Sequence, residues 1–512
     1  MQQSYQSHHC HTSNVTLHSS LLLAVAGLPN APPRIIQAIA IVIMLVCALS
    51  VPPARAGTLF STFAQSGSDQ FSANFEKAED AFDQLTTARL QAALPSYTDP
   101  ASTATMQLDF RGLDMNFSFQ TSGSTELTMS IPALGINESF TGSSRDDSKD
   151  LLVEYFKGAG LASIERIQKE LVRVSPVDPI AGNPNSLMSS QMANDFATIF
   201  HQSPTNEFAV TDGGGDLLAR AFGADAQAPR ADAMDAREGS AMARGTDDAM
   251  QESARSGYDS RSADGQGEQQ QGGINPMSYE GMQGSGSSFG VDVSHAQYDL
   301  NGRDSSTQTI VLDYLYQFQN PQKILRVSLP IAVTDTEGAK SYRVNAGLSY
   351  SHPITRAWSL TPGVSYGVGG SEDLGGGASI NGISLSSTYR LVYGDYLYKI
   401  GNMVGRYQTG SVSFGDYEIN PDVSNTVLRN GVMVLRPTLL FNVPSMVQAY
   451  FIDTRFSGDE LYAEKYYEVG FALGILADDR LLIEDNFHLG LTWLDSTDSD
   501  IKGYKINFGF NF

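Results

Sequence analysis

The sequence predicts an all-β C-terminal transmembrane barrel of about 12 antiparallel strands, preceded by a small α+β domain and a disordered linker. Three observations carry this expectation. Residues 289–512 alternate apolar with small or polar side chains at a period of two, over runs of about ten residues. The connections between these runs alternate short and long. An apolar run with a positively charged residue ahead of it stands upstream, at Ile35–Val51 after Arg34.

The upstream run comes first in the chain. Small residues follow it at Ala54 and Ala56, and Pro52 and Pro53 break any helix. This is the pattern of a secretory signal peptide, with cleavage expected between Ala56 and Gly57. Residues 1–33 form an extension ahead of it and carry His8, His9, Cys10 and His11, a group in which metal binding is conceivable. The extension is expected to be lost with the leader. Cys10 and Cys47 both precede the expected cut, so no disulfide framework is expected in the exported chain. The formal net charge of the full 512-residue chain, -23, excludes a basic nucleic-acid footprint.

Residues 57–211 read as a small α+β domain. Phe71, Phe75, Ala78, Phe82, Leu85 and Ala92 recur at helical spacing. Three alternating runs follow: Met106, Leu108 and Phe110; Met115, Phe117 and Phe119; Leu127, Met129 and Ile131. A capping Ser with an acidic first turn starts a helix in "SRDDSKDLLVEYF". "LASIERIQKELVRV" and "NPNSLMSSQMANDFATIF" read as two further helices. Residues 212–288 have few large apolar side chains and many Gly, Ser and Gln, too little burial to offset chain entropy, so they read as a flexible linker.

In residues 289–512, strands are expected near 289, 307, 323, 341, 357, 378, 396, 427, 446, 465, 485 and 502. "SYRVNAGLSYS" shows the pattern: Tyr342, Val344, Ala346, Leu348 and Tyr350 share one face, and Ser341, Arg343, Asn345, Gly347 and Ser349 the other. An even count places both barrel ends on one side. Short connections such as "QNPQK" and "YGDY" then fall on the periplasmic side. Longer ones such as "TDTEGAK", "GGSEDLGGG" and "SGDELYAEK" fall outside. By alternation Asp313, Arg343, Arg390, Arg406, Glu468 and Lys505 point into the lumen. They either line a pore or pair internally and fill the barrel; a lumen of this size favours pairing.

The last strand places Tyr504, Ile506, Phe508, Phe510 and Phe512 on one face. This aromatic terminal strand resembles the signal read by the barrel assembly machinery of the Gram-negative outer membrane. The order of parts (signal, exported segment, linker, barrel of about twelve strands ending in Phe) resembles the autotransporters. That resemblance covers residues 289–512. It implies an outer-membrane barrel in contact with lipid that anchors or displays a small N-terminal domain, and a helix through the lumen just ahead of the first strand. The segment Gly272–Ser288 is Gly-rich with a Pro and makes a poor helix. Residues 57–211 carry no 20–30-residue repeat of a solenoid passenger. The alternative is an outer-membrane channel for small solutes with the N-terminal domain in the periplasm.

No enzyme, metal or cofactor chemistry is expected. His488 and His352 have no Ser or Asp partner that the sequence places. "GGGD" at Gly213–Asp216 and the Gly375–Gly377 run lack the Lys of a phosphate loop, and "DSTDSD" at Asp495–Asp500 lacks the Gly and Glu of an EF-hand loop. The sequence names no ligand for the N-terminal domain.

Overall fold

In the computed structural model, the described residues are 59–156, 160–200, 214–222, 286–320, 322–414, 417–440, 443–475 and 486–511. The expected signal, the cleavage pair Ala56 and Gly57, and Phe512 lie outside them.

The N-terminal part is a six-stranded antiparallel sheet in the order β2-β1-β3-β4-β5-β6. Its strands are β1 (Phe60–Ser66), β2 (Asp69–Phe75), β3 (Ala104–Phe110), β4 (Leu113–Phe119), β5 (Leu127–Ile131) and β6 (Ile136–Phe140). The alternating runs supply its buried face, with Met106, Leu108, Met115, Phe117, Leu127 and Met129 all buried. The long helix suggested by Phe71, Phe75, Phe82 and Leu85 does not form. Gly67, at φ +58°, allows a tight turn that folds β2 back on β1, so Phe71 and Phe75 sit in a strand. Only two short helices remain there, α1 (Ala78–Phe82) and α2 (Thr87–Ala93). Helix α3 (Arg145–Glu154) opens on a complete capping box: the Asp147 amide donates to Ser144 Oγ at 3.1 Å and the Ser144 amide donates to Asp147 Oδ2 at 3.0 Å. Helix α4 (Leu161–Val174) has the predicted bounds.

The C-terminal part is a closed antiparallel barrel of twelve strands. These are β7 (Gly286–Leu300), β8 (Asp304–Gln317), β9 (Ile324–Thr336), β10 (Ala339–Pro353), β11 (Trp358–Ser371), β12 (Gly376–Tyr393), β13 (Tyr396–Gly410), β16 (Ser424–Leu440), β17 (Val443–Gly458), β18 (Lys465–Ile475), β19 (Asn486–Ser496) and β20 (Ile501–Asn511). A small hairpin, β14 (Val412–Phe414) and β15 (Tyr417–Ile419), stands in the connection after β13. Strand β20 pairs with β7, which closes the ring and leaves no unpaired edge.

The outward rows are apolar and uncovered: Val364, Ile383, Phe471 and Leu491 are 53%, 63%, 61% and 52% exposed. A soluble barrel would put such residues against a second layer. Trp358, Tyr389, Tyr393 and Tyr396 ring the short-turn end, and Tyr342, Trp493 and Tyr504 stand towards the long-loop end, as the two girdles of a bilayer-spanning barrel do. Among the described residues no helix is long and apolar enough to cross a membrane; the crossing is made by strands. One connection is shorter than expected. In "TDTEGAK" the strands continue to a two-residue turn, Glu337–Gly338, with φ 52° and 92°, the positive values such a hairpin turn requires.

Candidate functional site, a helix in the barrel lumen

The helix α5 (Leu187–Phe200), which periodicity assigned to the N-terminal domain, runs inside the barrel. It starts from Ser186, whose Oγ accepts from the Ser189 amide at 3.3 Å. The segment leading to it, Ser175–Asn183, is buried throughout. Asp178 organises that segment: Oδ1 accepts from the Ile180 amide at 2.9 Å and Oδ2 from Arg111 Nη1 at 3.2 Å. Burial pushes the Asp178 carboxyl above its ordinary range. Arg111 stands with Gly112 at the tip of the β3–β4 hairpin, with φ 57° and 101°.

The wall meets α5 with complementary polar groups and with space. Asp195, buried on the helix, accepts from Tyr407 OH at 2.8 Å and Ser365 Oγ at 2.9 Å. Gln191 Nε2 donates to Ser365 Oγ at 2.8 Å, and Asn194 Nδ2 to Ser328 Oγ at 2.7 Å. At the N-terminal end Asn185 bridges Ser305 and Thr307 at 2.9 and 2.8 Å. At the C-terminal end Phe200 lies against glycines of β13 and β16. A Cβ at Gly401 would stand 3.0 Å from its ring and one at Gly431 2.8 Å. These inward glycines are the small face of the strand pattern, and the room they leave is occupied by a helix about 10 Å across.

The helix has a direction. Asn185 lies beside Ser305 and Thr307, near the β7–β8 turn at the long-loop end, whereas the Phe200 carbonyl accepts from Lys399 Nζ at 3.4 Å, three residues into β13 from the short-turn end. At that end α6 (Gly214–Phe222) follows. Arg220 Nη2 donates to the carbonyl of Gly394, in the β12–β13 turn, at 3.0 Å. Strand β7 starts at the same end, where Gly286 pairs with Gln317.

The N-terminal domain packs on the opposite, long-loop end. The Ala78 amide donates to the Asp373 carbonyl at 3.0 Å, and Lys77 Nζ reaches Asp373 Oδ1 at 3.0 Å. That carboxylate's hydrogen bond and charge raise the Lys77 pKa. The connection after β17 pairs with the domain backbone: the Tyr462 amide donates to Val172 O and the Ala463 amide to Gly182 O, both at 3.1 Å. Lys169 Nζ meets Asp459 Oδ1 at 2.9 Å, and the Asn420 amide meets Glu165 Oε1 at 3.2 Å.

Of the six charged residues that alternation turned inward, the structure places five on the lumen side. Asp313 forms a two-pronged pair with Arg326, at 3.0 and 2.8 Å. Glu468 pairs with Arg429, which also lies 5.0 Å over the Phe196 ring of α5. Arg343 donates to the Asn185 carbonyl and to Thr334 Oγ1, the latter at 2.9 Å; Arg390 donates to Ser359 Oγ at 3.1 Å. Lys505 lines a cavity described below. Arg406 is different: it is exposed on the outer face with Ile400 and Val404, and donates to Thr426 Oγ1 at 3.3 Å. The inward row of β13 is Leu397, Lys399, Gly401, Met403, Gly405 and Tyr407, and an apolar Leu and Met on that row obscured the parity. Arg406 lies four residues from the end of β13, where the outward row meets the headgroup layer and tolerates a charge. Tyr504 is exposed on the outer face; Ile506 and Phe508 follow it on the same alternation, and Phe508 is buried.

Sequence reasoning missed Asp195, Arg326, Lys399, Tyr407 and Arg429. The signal for α5 was present: between Leu187 and Phe200 the only charged residue is Asp195. A surface helix of that length carries a charged face, so its absence marks a helix enclosed on all sides.

Beside α5 a cavity of about 250 Å³ remains along the wall formed by β20, β7 and β8. His488 Nε2 and Asp292 Oδ1 stand 2.9 Å apart at its edge. Among the described residues no group of three or more His, Cys, Asp or Glu is placed to hold a metal.

No family model and no curated protein matches the chain. Among solved structures it is similar to the β domain of the Bordetella autotransporter BrkA, at 11% identity over 44% of this chain and 98% of that one, with a TM-score of 0.34. It is similar to the translocator domain of autotransporter NalP from Neisseria meningitidis, at 11% identity, 45% and 88% coverage, and a TM-score of 0.32. It is also similar to a KdgM porin, at 12% identity, 44% and 99% coverage, and a TM-score of 0.28. The chain carries a transmembrane β-barrel of the outer-membrane type. The closed ring of twelve strands and the uncovered apolar belt are its own evidence for that fold.

Proposed function

We propose that this protein is an autotransporter-like anchor that displays its N-terminal domain on the cell surface, with its own helix α5 closing the barrel. One observation carries the reading: α5 descends the lumen from a domain seated on the long loops to the end where β7 begins. Short periplasmic turns and long outer loops are the rule for bacterial barrels, so the seated domain falls outside. The N-terminal domain serves as a displayed binding module, and no catalytic step is assigned to it. A free diffusion channel is less well supported, because α5 fills the lumen between β9 and β16. Assembly by the barrel assembly machinery is the route that the aromatic β20 suggests.

The test is an epitope inserted after Gly123, in an open turn with no atom near its Cβ position. Intact cells are then treated with protease. Loss of the epitope with an intact barrel supports display. Protection until the outer membrane is permeabilised would place the domain in the periplasm and overturn the reading.

A further inference from the structure

The cavity beside α5 is asymmetric in exposure. The side chains of Asp292 and His488 are 33% and 23% exposed, and both belong to the half of the strands nearest the short turns. Deeper in, Arg343 is 6% and Arg429 4% exposed. The space is therefore a vestibule that opens towards the short-turn end and narrows to a buried floor. Its charges are not balanced. Arg326 is paired with Asp313, Arg429 with Glu468, and His488 with Asp292. Arg343 has no carboxylate partner; its Nη1 is committed to Asn185 and Thr334, and its Nε has no hydrogen-bond partner. Lys505 lines the same cavity, where the charges of Glu468 and Asp292 act on it without a direct ion pair among the described residues. With His488 neutral, four cations line the cavity against three carboxylates, Asp292, Asp313 and Glu468, and Arg343 is buried with no carboxylate partner; an anion brought in from solvent offsets the cost of that excess charge.

We propose that the vestibule is a binding site for a small oxyanion, phosphate or carboxylate, with Lys505 and Arg343 supplying the charge. The inference does not depend on where the N-terminal domain resides. The volume accommodates such an ion with several waters, and Tyr298 and Gln448 line the same space as further hydrogen-bonding groups. In a chain of net charge -23, this cavity carries a local excess of positive charge inside the barrel.

The test uses the full-length protein in detergent. Inorganic phosphate and, separately, acetate are titrated by isothermal calorimetry at fixed ionic strength. Saturable binding of one ion per chain is expected, and the tighter of the two identifies the class. Lys505→Gln should weaken it by about tenfold or more, the loss of one charge-assisted hydrogen bond. Lys505→Arg should restore it, and the outward Arg406→Gln should leave it unchanged. The Lys505 and Arg343→Gln variants are read only where heat-modifiability on a gel shows a folded barrel. No saturable binding to the wild type, or equal binding to Lys505→Gln, would overturn the proposal.

Discussion

If α5 is seated by the glycines of the wall, a single methyl group should unseat it. Gly431→Ala places a Cβ 2.8 and 2.9 Å from two atoms of the Phe200 ring and 3.2 Å from Phe196. Real Cβ contacts do not come that close to backbone-tethered rings. The two phenyl rings pack together with centroids 5.1 Å apart, and Phe200 meets Tyr450 edge-on at 6.1 Å, so neither ring has a free direction of retreat. Overpacking of this kind costs about 1–3 kcal/mol. The barrel strands, hydrogen-bonded on both sides, should hold, and the cost should fall on the helix. A shift of that size raises the population of an open helix by roughly five- to a hundredfold. Amide hydrogen exchange of Gln191–Phe200 reads it directly, with strand amides as the internal reference. Phe200→Leu loosens the helix by itself, but in the double variant the ring that clashes is gone. The two effects should then be clearly less than additive, with a coupling of about 0.5–3 kcal/mol. Unchanged exchange in Gly431→Ala, or strict additivity in the pair, would mean that the glycines do not seat the helix.

The remaining predictions concern buried polar groups and one cap. Tyr407→Phe removes one of the two hydroxyls that Asp195 accepts from and should cost about 1–3 kcal/mol, seen as faster exchange of α5 with an unchanged barrel. Arg111→Ala leaves the buried Asp178 carboxylate unpaired and should destabilise the N-terminal domain by about 3–5 kcal/mol in thermal unfolding; an equal effect from Lys77→Ala, an exposed pair, would refute the argument from burial. The Ser143 and Ser144 hydroxyls hold the Asp147 carboxyl below its ordinary range. Its contribution is therefore present above the unfolded carboxylate value of about 3.9 and is lost as pH falls through the lower folded value. Wild type and Asp147→Ala should differ in thermal stability at pH 6 and converge near pH 2.

The barrel was legible because every strand repeats the same local rule. Membrane strands must alternate, and a slip of one residue would turn the whole apolar row inward, so the pattern in "SYRVNAGLSYS" survives into the structure. Arg406 shows the limit of the rule. Near a rim both faces tolerate polar groups, and only the pairing with Thr426 settles the parity. In the N-terminal domain Phe71 and Phe75 satisfy helical spacing and strand spacing alike. The arbiter was Gly67, whose positive φ closes a hairpin that a helix reading ignores. The charged lumen was legible residue by residue but not as pairs, since Arg326 and Asp313 meet across two strands whose register the sequence does not state.

The helix was misplaced for a different reason, and the reason bears on function. The resemblance to autotransporters directs attention to the residues just ahead of the first strand, yet α5 ends at Phe200 and β7 begins at Gly286. What a lumen helix requires is not adjacency to the first strand but a surface that a polar wall can satisfy. Ser189, Gln191, Asp195 and Thr198 are buried, like Met188, Met192 and Phe196. In a soluble core four buried polar side chains on one helix would each be a liability. Here Ser365, Tyr407 and Arg326 accept or donate to three of them. The polar helix with its single charged residue and the Gly-, Ser- and Thr-rich inner face of the strands are thus two halves of one pattern, each unexplained without the other. Reading them together assigns the helix to the lumen, and with it the domain ahead of the helix to the long-loop end.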